Sequence, residues 1–439
     1  MTSWDRRDRR RQAKVQDAAL ARQVRDNLAP ASPYWASLID PIGIAAGHLT
    51  RVAELSAVPA VGERDLCPDG DPSGAAQLVL QVSEAGYARH ADGPALRQAL
   101  RRRLTRPAAY ARQVQDAVRP VSYHLGGLAL PLPIASTRDD LDVIARAGAR
   151  AWAVLGLTAD DLLVSALPPD GALAGFALPY AALGAGAPAV HAGPDAAAEA
   201  LQVLPATVLA VADAEALDGL GRLPATVHTV LVTVDDTDVA ALAETARVLR
   251  LWGPPDGRWL YAECPEGGRG AGLHTYPDLE VLETIDPASG EPAPAGELVL
   301  TQLGVRGSAL LRWRTGAVHA GFAIEPCPGC GRTVPRINPD IRGSALVAPV
   351  QLDAGAVLVD LRAVAGALAG RPDLTGWRIR VRPAAGGESS IVDVSISPAG
   401  RPEQAVAGAV ADIEAAAGAR AQPVRIEAGL SGGAIELTP

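Results

Sequence analysis

The chain has 439 residues, of which 48% are hydrophobic and 20% charged, and its formal net charge is −9. That length exceeds what one core fills, so two domains are expected. The negative balance gives a nucleic-acid partner no global electrostatic support, and four cysteines are too few for a disulfide framework, which fits a reducing, cytoplasmic setting.

In chain order, residues 1–30 read as a helix rich in Arg, Asp and Gln. Its start is basic but lacks the apolar stretch of a secretory signal. Asp5 and Asp8 interrupt the arginines, which suits a solvated helix start better than a nucleic-acid arm. Residues 62–78 are rich in Gly, Pro and Asp and read as loop, and 93–118 have helical spacing of Leu and Ala with Arg on the other face. From 137 the pattern alternates. A helix over 137–156 starts at the N-cap Thr137. A strand within 161–167 follows, then a helix over 174–186 ending in Gly, a strand at 188–193, a helix at 196–204 and a strand at 206–212. Next come a short helix, a strand at 229–234, a helix over 238–252 and strand-rich sequence to 340. Such alternation predicts an α/β domain with mainly parallel sheets covered by helices. Its most apolar stretch, 163–190, is broken by Pro168, Pro169 and Pro179 and reads as buried core, not a membrane span. The pattern resets near 343–353. A helix over 354–370, strands at 377–383 and 389–397, a helix over 402–419 and a strand at 423–429 predict a small α+β domain. The boundaries are 1–343 for the large domain and 344–439 for the small one.

Cys327 and Cys330 form a C-x-x-C pair in "PCPGCG", whose Pro and Gly suit a tight knuckle exposing both sulfurs. Cys264 lies in "LYAECPEGGRGAGLHTYPDLE" with His274 ten positions on. Three thiolates and one imidazole make a closed structural zinc set. The alternative is a set of free cysteines with His274 an ordinary turn histidine. Cys67 has no partner by spacing.

The succession "AECPEGGRGAGLHTYPDLEVLETIDPASG", "GELVLTQL", "LRWRTGAV", "PCPGCGRTVPRI" resembles the phenylacetate–CoA ligase branch of the adenylate-forming enzymes. The resemblance is clear over about 252–343, fainter from 34 to 67 and from 120 to 190, and loose in the C-terminal domain. It implies a structural zinc held by Cys264, His274, Cys327 and Cys330. It also implies ATP and Mg²⁺, a small-molecule carboxylic acid, and coenzyme A or a carrier thiol as acceptor. No nucleic acid or membrane enters, and a homodimer stays open.

Carried over position by position, the motifs are degenerate. The phosphate loop matches "HLGGLALP", 124–131, where Gly126 and Pro131 fit. Its hydroxyl positions hold His124, Leu125, Gly127 and Leu128, and its lysine position holds Leu130, which cannot donate to a phosphate. In the next motif Trp252 and Gly253 are placed to stack on and abut an adenine, Pro255 replaces a hydroxyl, and Asp256 stands where a glutamate binds Mg²⁺. "WGPPDG" also reads simply as a turn. The third motif keeps Arg314, Thr315 and Gly316, with Arg314 near the phosphate, but has Ala317 where an Asp holds the ribose. At the hinge Arg342 and Gly343 are inverted and both acids are absent, and Gly433 and Ala434 occupy the region of the catalytic lysine. Lys14 is the only lysine in the chain, so no interior lysine is available. Two readings follow. One is an acid–thiol ligase that activates an aryl or apolar carboxylate through acyl-AMP, weakened by motif loss. The other is an inactive homologue acting as a binding or scaffold protein. A zinc-ribbon nucleic-acid binder is disfavoured by the acidic balance and by an aromatic content of 4%.

Overall fold

A computed structural model describes residues 5–39, 49–67, 72–81, 93–110, 119–127, 132–169, 172–233, 246–268, 271–286, 290–339, 341–343, 347–352, 355–383, 390–417 and 424–437. The chain divides into two compact units. The first holds Met1–Thr284, Leu298–Thr315 and His319–Asp340, and the second Ile285–Glu297, Gly316–Val318 and Ile341–Pro439.

The first unit opens with α1 (Arg9–Gln23), capped by the Asp8 carboxylate on the Arg11 amide, and α2 (Pro33–Ile39). A third helix, α3 (Gly93–Thr105), precedes a hairpin of β1 (Ser122–Gly126) and β2 (Leu132–Ser136). Then α4 (Arg138–Val154), β3 (Leu163–Ser165), α5 (Leu173–Ala185), β4 (Ala189–His191), α6 (Gly193–Val203), β5 (Val208–Val211), α7 (Ala214–Asp218) and β6 (Thr229–Val232) alternate as the sequence leads one to expect. Next in the chain come β7 (Arg247–Trp252), β8 (Tyr261–Glu263), β9 (Leu273–His274), β10 (Glu280–Ile285), β11 (Gly296–Gln302), β12 (Trp313–His319), β13 (Phe322–Ala323) and β14 (Arg336–Ile337), of which Ile285, Gly296, Glu297 and Gly316–Val318 belong to the second unit.

Nine of these strands form one sheet in the order β13-β14-β9-β8-β7-β6-β5-β3-β4. The half from β4 to β7 is parallel and the half from β7 to β13 antiparallel. Strands β3, β5 and β6 are buried along their whole length because helices cover both faces there, while the edge strand β4 is exposed. Leu163, Val208, Ala210, Leu231 and Leu249 share one core with Ile144, Trp152 and Leu178 of α4 and α5. Val164, Leu209, Val211, Val230 and Val232 point the other way, toward Leu201 and Leu217 of α6 and α7. The two covering helices α4 and α5 meet through small residues. A Cβ on Gly148 would lie 2.3 Å from the Ala181 Cα, and one on Gly184 would lie 2.0 Å from the Ala145 carbonyl oxygen.

The expected helix over 238–252 is corrected. Residues 234–245 lie outside the described set, and Arg247–Trp252 is a strand in parallel register with β6, Thr229 opposite Arg247 through Val232 opposite Arg250. Val248, Leu249 and Leu251 have spacing that serves a helix or a strand, and the open edge of β6 decides between them.

In the second unit β15 (Ile341–Gly343) and β16 (Val347–Leu352) precede β17 (Gly355–Asp360), α8 (Leu361–Ala369), β18 (Leu374–Pro383), β19 (Ser390–Pro398), α9 (Pro402–Ala417), β20 (Arg425–Ile426) and β21 (Gly432–Leu437). The sheet runs β17-β16-β19-β18-β21, with β20 beside β19. Val364 and Leu368 of α8 and Ala405, Ala409 and Ile413 of α9 cover Ile379, Val394 and Ile396. Here too the sequence expectation of one helix over 354–370 is corrected. Residues 355–360 pair antiparallel with 347–352, and the helix is confined to 361–369. The alternation of Val357 and Val359 has the period of a strand, and the hairpin partner makes it one.

Candidate functional site: a thiol–imidazole cluster and a carboxylate hub

Cys264, His274, Cys327 and Cys330 converge. One ligand atom from each lies within 4.8 Å of all the others, and the Cys330 Sγ is 3.7 Å from His274 Nε2. Sulfurs at about 2.3 Å from a tetrahedral ion stand roughly 3.8 Å apart, so the spacing suits a closed four-coordinate site. Two knuckles build it. Cys264-Pro265-Glu266-Gly267-Gly268 follows β8, and Cys327-Pro328-Gly329-Cys330-Gly331 follows β13. Both close on a glycine at positive φ, 71° at Gly268 and 66° at Gly331. Gly267 occupies the place in the first knuckle that Cys330 holds in the second, and β9 supplies His274 instead. His274 sits in register between Ala262 of β8 and Arg336 of β14, which fixes it under the two loops. Gly329 lets the knuckles touch, since a Cβ there would lie 2.4 Å from the Gly267 amide nitrogen.

All three thiols of the cluster are free of disulfides, and Cys264 and Cys327 are buried. Burial and the neighbouring Cys330 charge push Cys264 up to about 11. Burial acts the same way on Cys330, but hydrogen bonds with His274 and Arg332 outweigh it and bring Cys330 down to about 7. The donor set, its enclosure and its spacing fit a thiophilic divalent ion. Cys67 is a buried free thiol outside the cluster.

Of the expected nucleotide-site residues, the structure brings Gly126 against Asp256. Pro254 accepts a hydrogen bond from the Gly257 amide at 2.8 Å, so "PPDG" is a tight turn. This turn presents Asp256 inward, 3% exposed. Asp256 Oδ1 accepts from the Gly127 amide at 2.5 Å, and Oδ2 accepts from Trp313 Nε1 at 2.7 Å. A Cβ on Gly126 would lie 2.5 Å from Oδ1, so the backbone of the β1–β2 hairpin rests on the carboxylate. Burial raises the Asp256 carboxyl to about 6 against the pull of those two donors. His124, on the same hairpin, is buried and stacks on Phe176 with ring centroids 4.8 Å apart. Burial and then the Arg258 charge lower His124 to about 3.

The remaining motif positions are placed as follows. Trp252 ends β7, half-buried, its ring 6.0 Å from Tyr261. Gly253 is packed shut, since a Cβ would meet the Trp259 carbonyl at 2.7 Å. The Arg314 amide donates to the Val61 carbonyl at 2.8 Å. Thr315 Oγ1 donates to the Leu298 carbonyl at 2.7 Å, so its hydroxyl is committed within the sheet. Gly316 has φ 65°, and its amide donates to Glu297 Oε1 at 3.1 Å. Ala317 is buried. Arg342 lies on β15, and Gly433 and Ala434 lie on β21 in register with Trp377 and Arg378. Leu128, Leu130 and Pro131 of the phosphate-loop stretch fall outside the described residues.

Three residues matter that sequence reading did not single out. Trp313 carries the indole that grips Asp256, and it follows Arg312, the only non-glycine residue at positive φ among those described (φ 44°). Arg258 is fully enclosed and ties the hairpin strand to the 302–308 segment. It donates to Ser136 Oγ at 2.6 Å, to the Ala135 carbonyl at 2.7 Å and to the Ser308 carbonyl. Glu280 accepts from Trp259 Nε1 at 2.7 Å and from the Tyr261 hydroxyl at 2.6 Å, and burial raises it to about 7. Nothing in one sequence marks a Trp, Arg or Glu as enclosed. The one available signal was the placing of Trp313 next to the Arg-Thr-Gly run.

No family model and no curated protein matches the chain. Among solved structures, 2-hydroxyisobutyryl-CoA ligase in the postadenylation state, in complex with R3-HIB-AMP, superposes with a TM-score of 0.63 at 16% identity, over 98% of this chain and 88% of that one. The fold is that of the adenylate-forming enzymes. An open conformation of the same ligase, in complex with 2-HIB-AMP and CoA, gives 0.63 at 17% identity over 95% of this chain and 88% of that one. Its thioesterification state gives 0.58 at 15% identity over 97% and 88%. These neighbours are CoA ligases of the adenylate-forming superfamily.

Proposed function

We propose that the chain is an acid–thiol ligase of the adenylate-forming type, similar to the phenylacetate–CoA ligase branch, with a structural zinc on Cys264, His274, Cys327 and Cys330. In the first half-reaction a carboxylate oxygen of an aryl or other apolar acid attacks the α-phosphorus of ATP and pyrophosphate leaves. In the second, the sulfur of coenzyme A or a carrier thiol attacks the acyl carbon and AMP leaves. The observation that carries this reading is the meeting of three separate motif segments at one carboxylate. Asp256 lies 2.5 Å from the Gly127 amide and 2.7 Å from Trp313 Nε1, the residue before Arg314. By motif position alone, Trp252 and Gly253 are assigned to the adenine, Gly126 and Thr315 to the phosphate and ribose backbone contacts, and Arg314 to the cation. Arg342 is carried over as the hinge residue, and Asp256 would hold Mg²⁺ by giving up one of its two protein donors.

Catalysis on such a site would be slow. Leu130 and Ala317 remove a phosphate donor and a ribose acceptor, and two losses of a few kcal/mol each lower a rate by about 10⁴. A second reading, an inactive acyl-binding homologue, is favoured by one feature: both Asp256 oxygens already accept hydrogen bonds from the protein. One experiment separates the two. Thermal melting is followed with millimolar Mg-ATP, and pyrophosphate release is screened over aryl acids. A ligase gives a nucleotide-dependent rise in Tm and acid-dependent pyrophosphate. An unchanged Tm together with no pyrophosphate for any acid leaves the binding protein.

A further inference from the structure

The N-terminal residues 5–12 do not simply start a solvated helix. They lie across the second knuckle. Asp5 Oδ2 pairs with Arg332 Nε at 2.7 Å, and Arg332 is 5% exposed. The Arg6 guanidinium donates to the Cys330 carbonyl at 2.9 Å. The Thr333 amide donates to the Asp5 carbonyl at 2.8 Å, and its hydroxyl to the Arg7 carbonyl at 2.6 Å. Gln12, 4% exposed on α1, donates to Thr333 Oγ1 at 3.0 Å and closes the loop. Every one of these contacts falls on residues 330–333, beginning at a cluster cysteine.

We infer that residues 5–12 are a strap forming the outer shell of the Cys264–His274–Cys327–Cys330 metal centre, so that a bound ion holds the strap down and the strap in turn tightens the ion. This rests on the zinc reading above. Three thiolates around a dication leave one net negative charge, and Arg332, enclosed beside Cys330, supplies a positive charge to offset it. Asp5 orients that guanidinium. Groups that orient metal ligands this way change metal affinity by about 10–100-fold when removed. The coupling works in both directions: if the strap favours the loaded knuckle, the loaded knuckle favours the docked strap by the same factor.

The test uses the full chain and zinc alone. Wild type, Asp5→Ala and Asp5→Asn are titrated against a chromophoric chelator, and trypsin cleavage after Arg6, Arg7, Arg9, Arg10 and Arg11 is followed by intact mass with and without zinc. We expect wild type to bind one zinc, Asp5→Ala to bind it about tenfold or more weakly, and Asp5→Asn to fall between them. Zinc removal should speed cleavage at 6–11 by about tenfold before sites beyond residue 90 are cut. If wild type binds one zinc but Asp5→Ala binds within twofold of it and cleavage at 6–11 ignores zinc, the strap is overturned while the metal centre stands. If wild type binds no zinc, both fall.

Discussion

At Asp256 two donors, Gly127 N and Trp313 Nε1, hold a carboxylate that burial nevertheless raises from 3.8 to about 6. A raised carboxyl means that the folded state binds its proton more tightly than the unfolded chain does. Its contribution is therefore most favourable below about pH 4, declines as pH rises to about 6, and is level above that. The displacement corresponds to on the order of 3 kcal/mol. Asp256→Asn should remove this slope while losing about 1–3 kcal/mol at low pH, because one donor then faces an amide NH₂. Urea midpoints from pH 4 to 7 check it. Equal slopes in wild type and variant would show that Asp256 does not titrate in that window. Glu280, raised to about 7, adds a slope of the same sign that the Asn variant keeps. Asp256 was legible as a candidate because it sits in a spaced motif. The bonds that use up both its oxygens were not, since they depend on Gly127 and Trp313 meeting across more than a hundred residues of chain.

Elements were legible where the local pattern had only one solution. Thr137 and Asp140 cap α4 reciprocally, Asp140 N to Thr137 Oγ1 at 3.2 Å and Thr137 N to Asp140 Oδ2 at 2.9 Å, and the sequence shows both partners three residues apart. Pattern failed at 247–252 and 355–360. In both, the conformation is decided by a neighbouring strand, β6 or β16, and not by the segment's own spacing. Close helix packing was equally hidden. Ala145, Gly148, Ala181 and Gly184 let α4 and α5 approach backbone to backbone. In Gly148→Ala the new methyl would lie 2.3 Å from the Ala181 Cα, so the helices must part. A loss of about 1–3 kcal/mol is expected despite the better helix propensity of alanine. An unfolding midpoint equal to or above wild type would show that the interface yields freely.

On the scale of the whole molecule, two knuckles and a strand bring together cysteines and a histidine that span 67 positions, from Cys264 to Cys330, beside a sheet whose parallel half is ordinary α/β core. Among the described residues no helix is long and apolar enough to cross a membrane. The large unit's stability should depend on the ion, since removing a ligand leaves crowded thiols without a partner. The most direct test is elemental analysis of the purified full chain beside Cys327→Ser. One zinc per wild-type chain is expected, and a lower Tm with little or no metal in the variant. A wild-type chain that folds without a transition metal, or a Cys327→Ser chain that keeps a full equivalent, would contradict the thiol–imidazole metal centre.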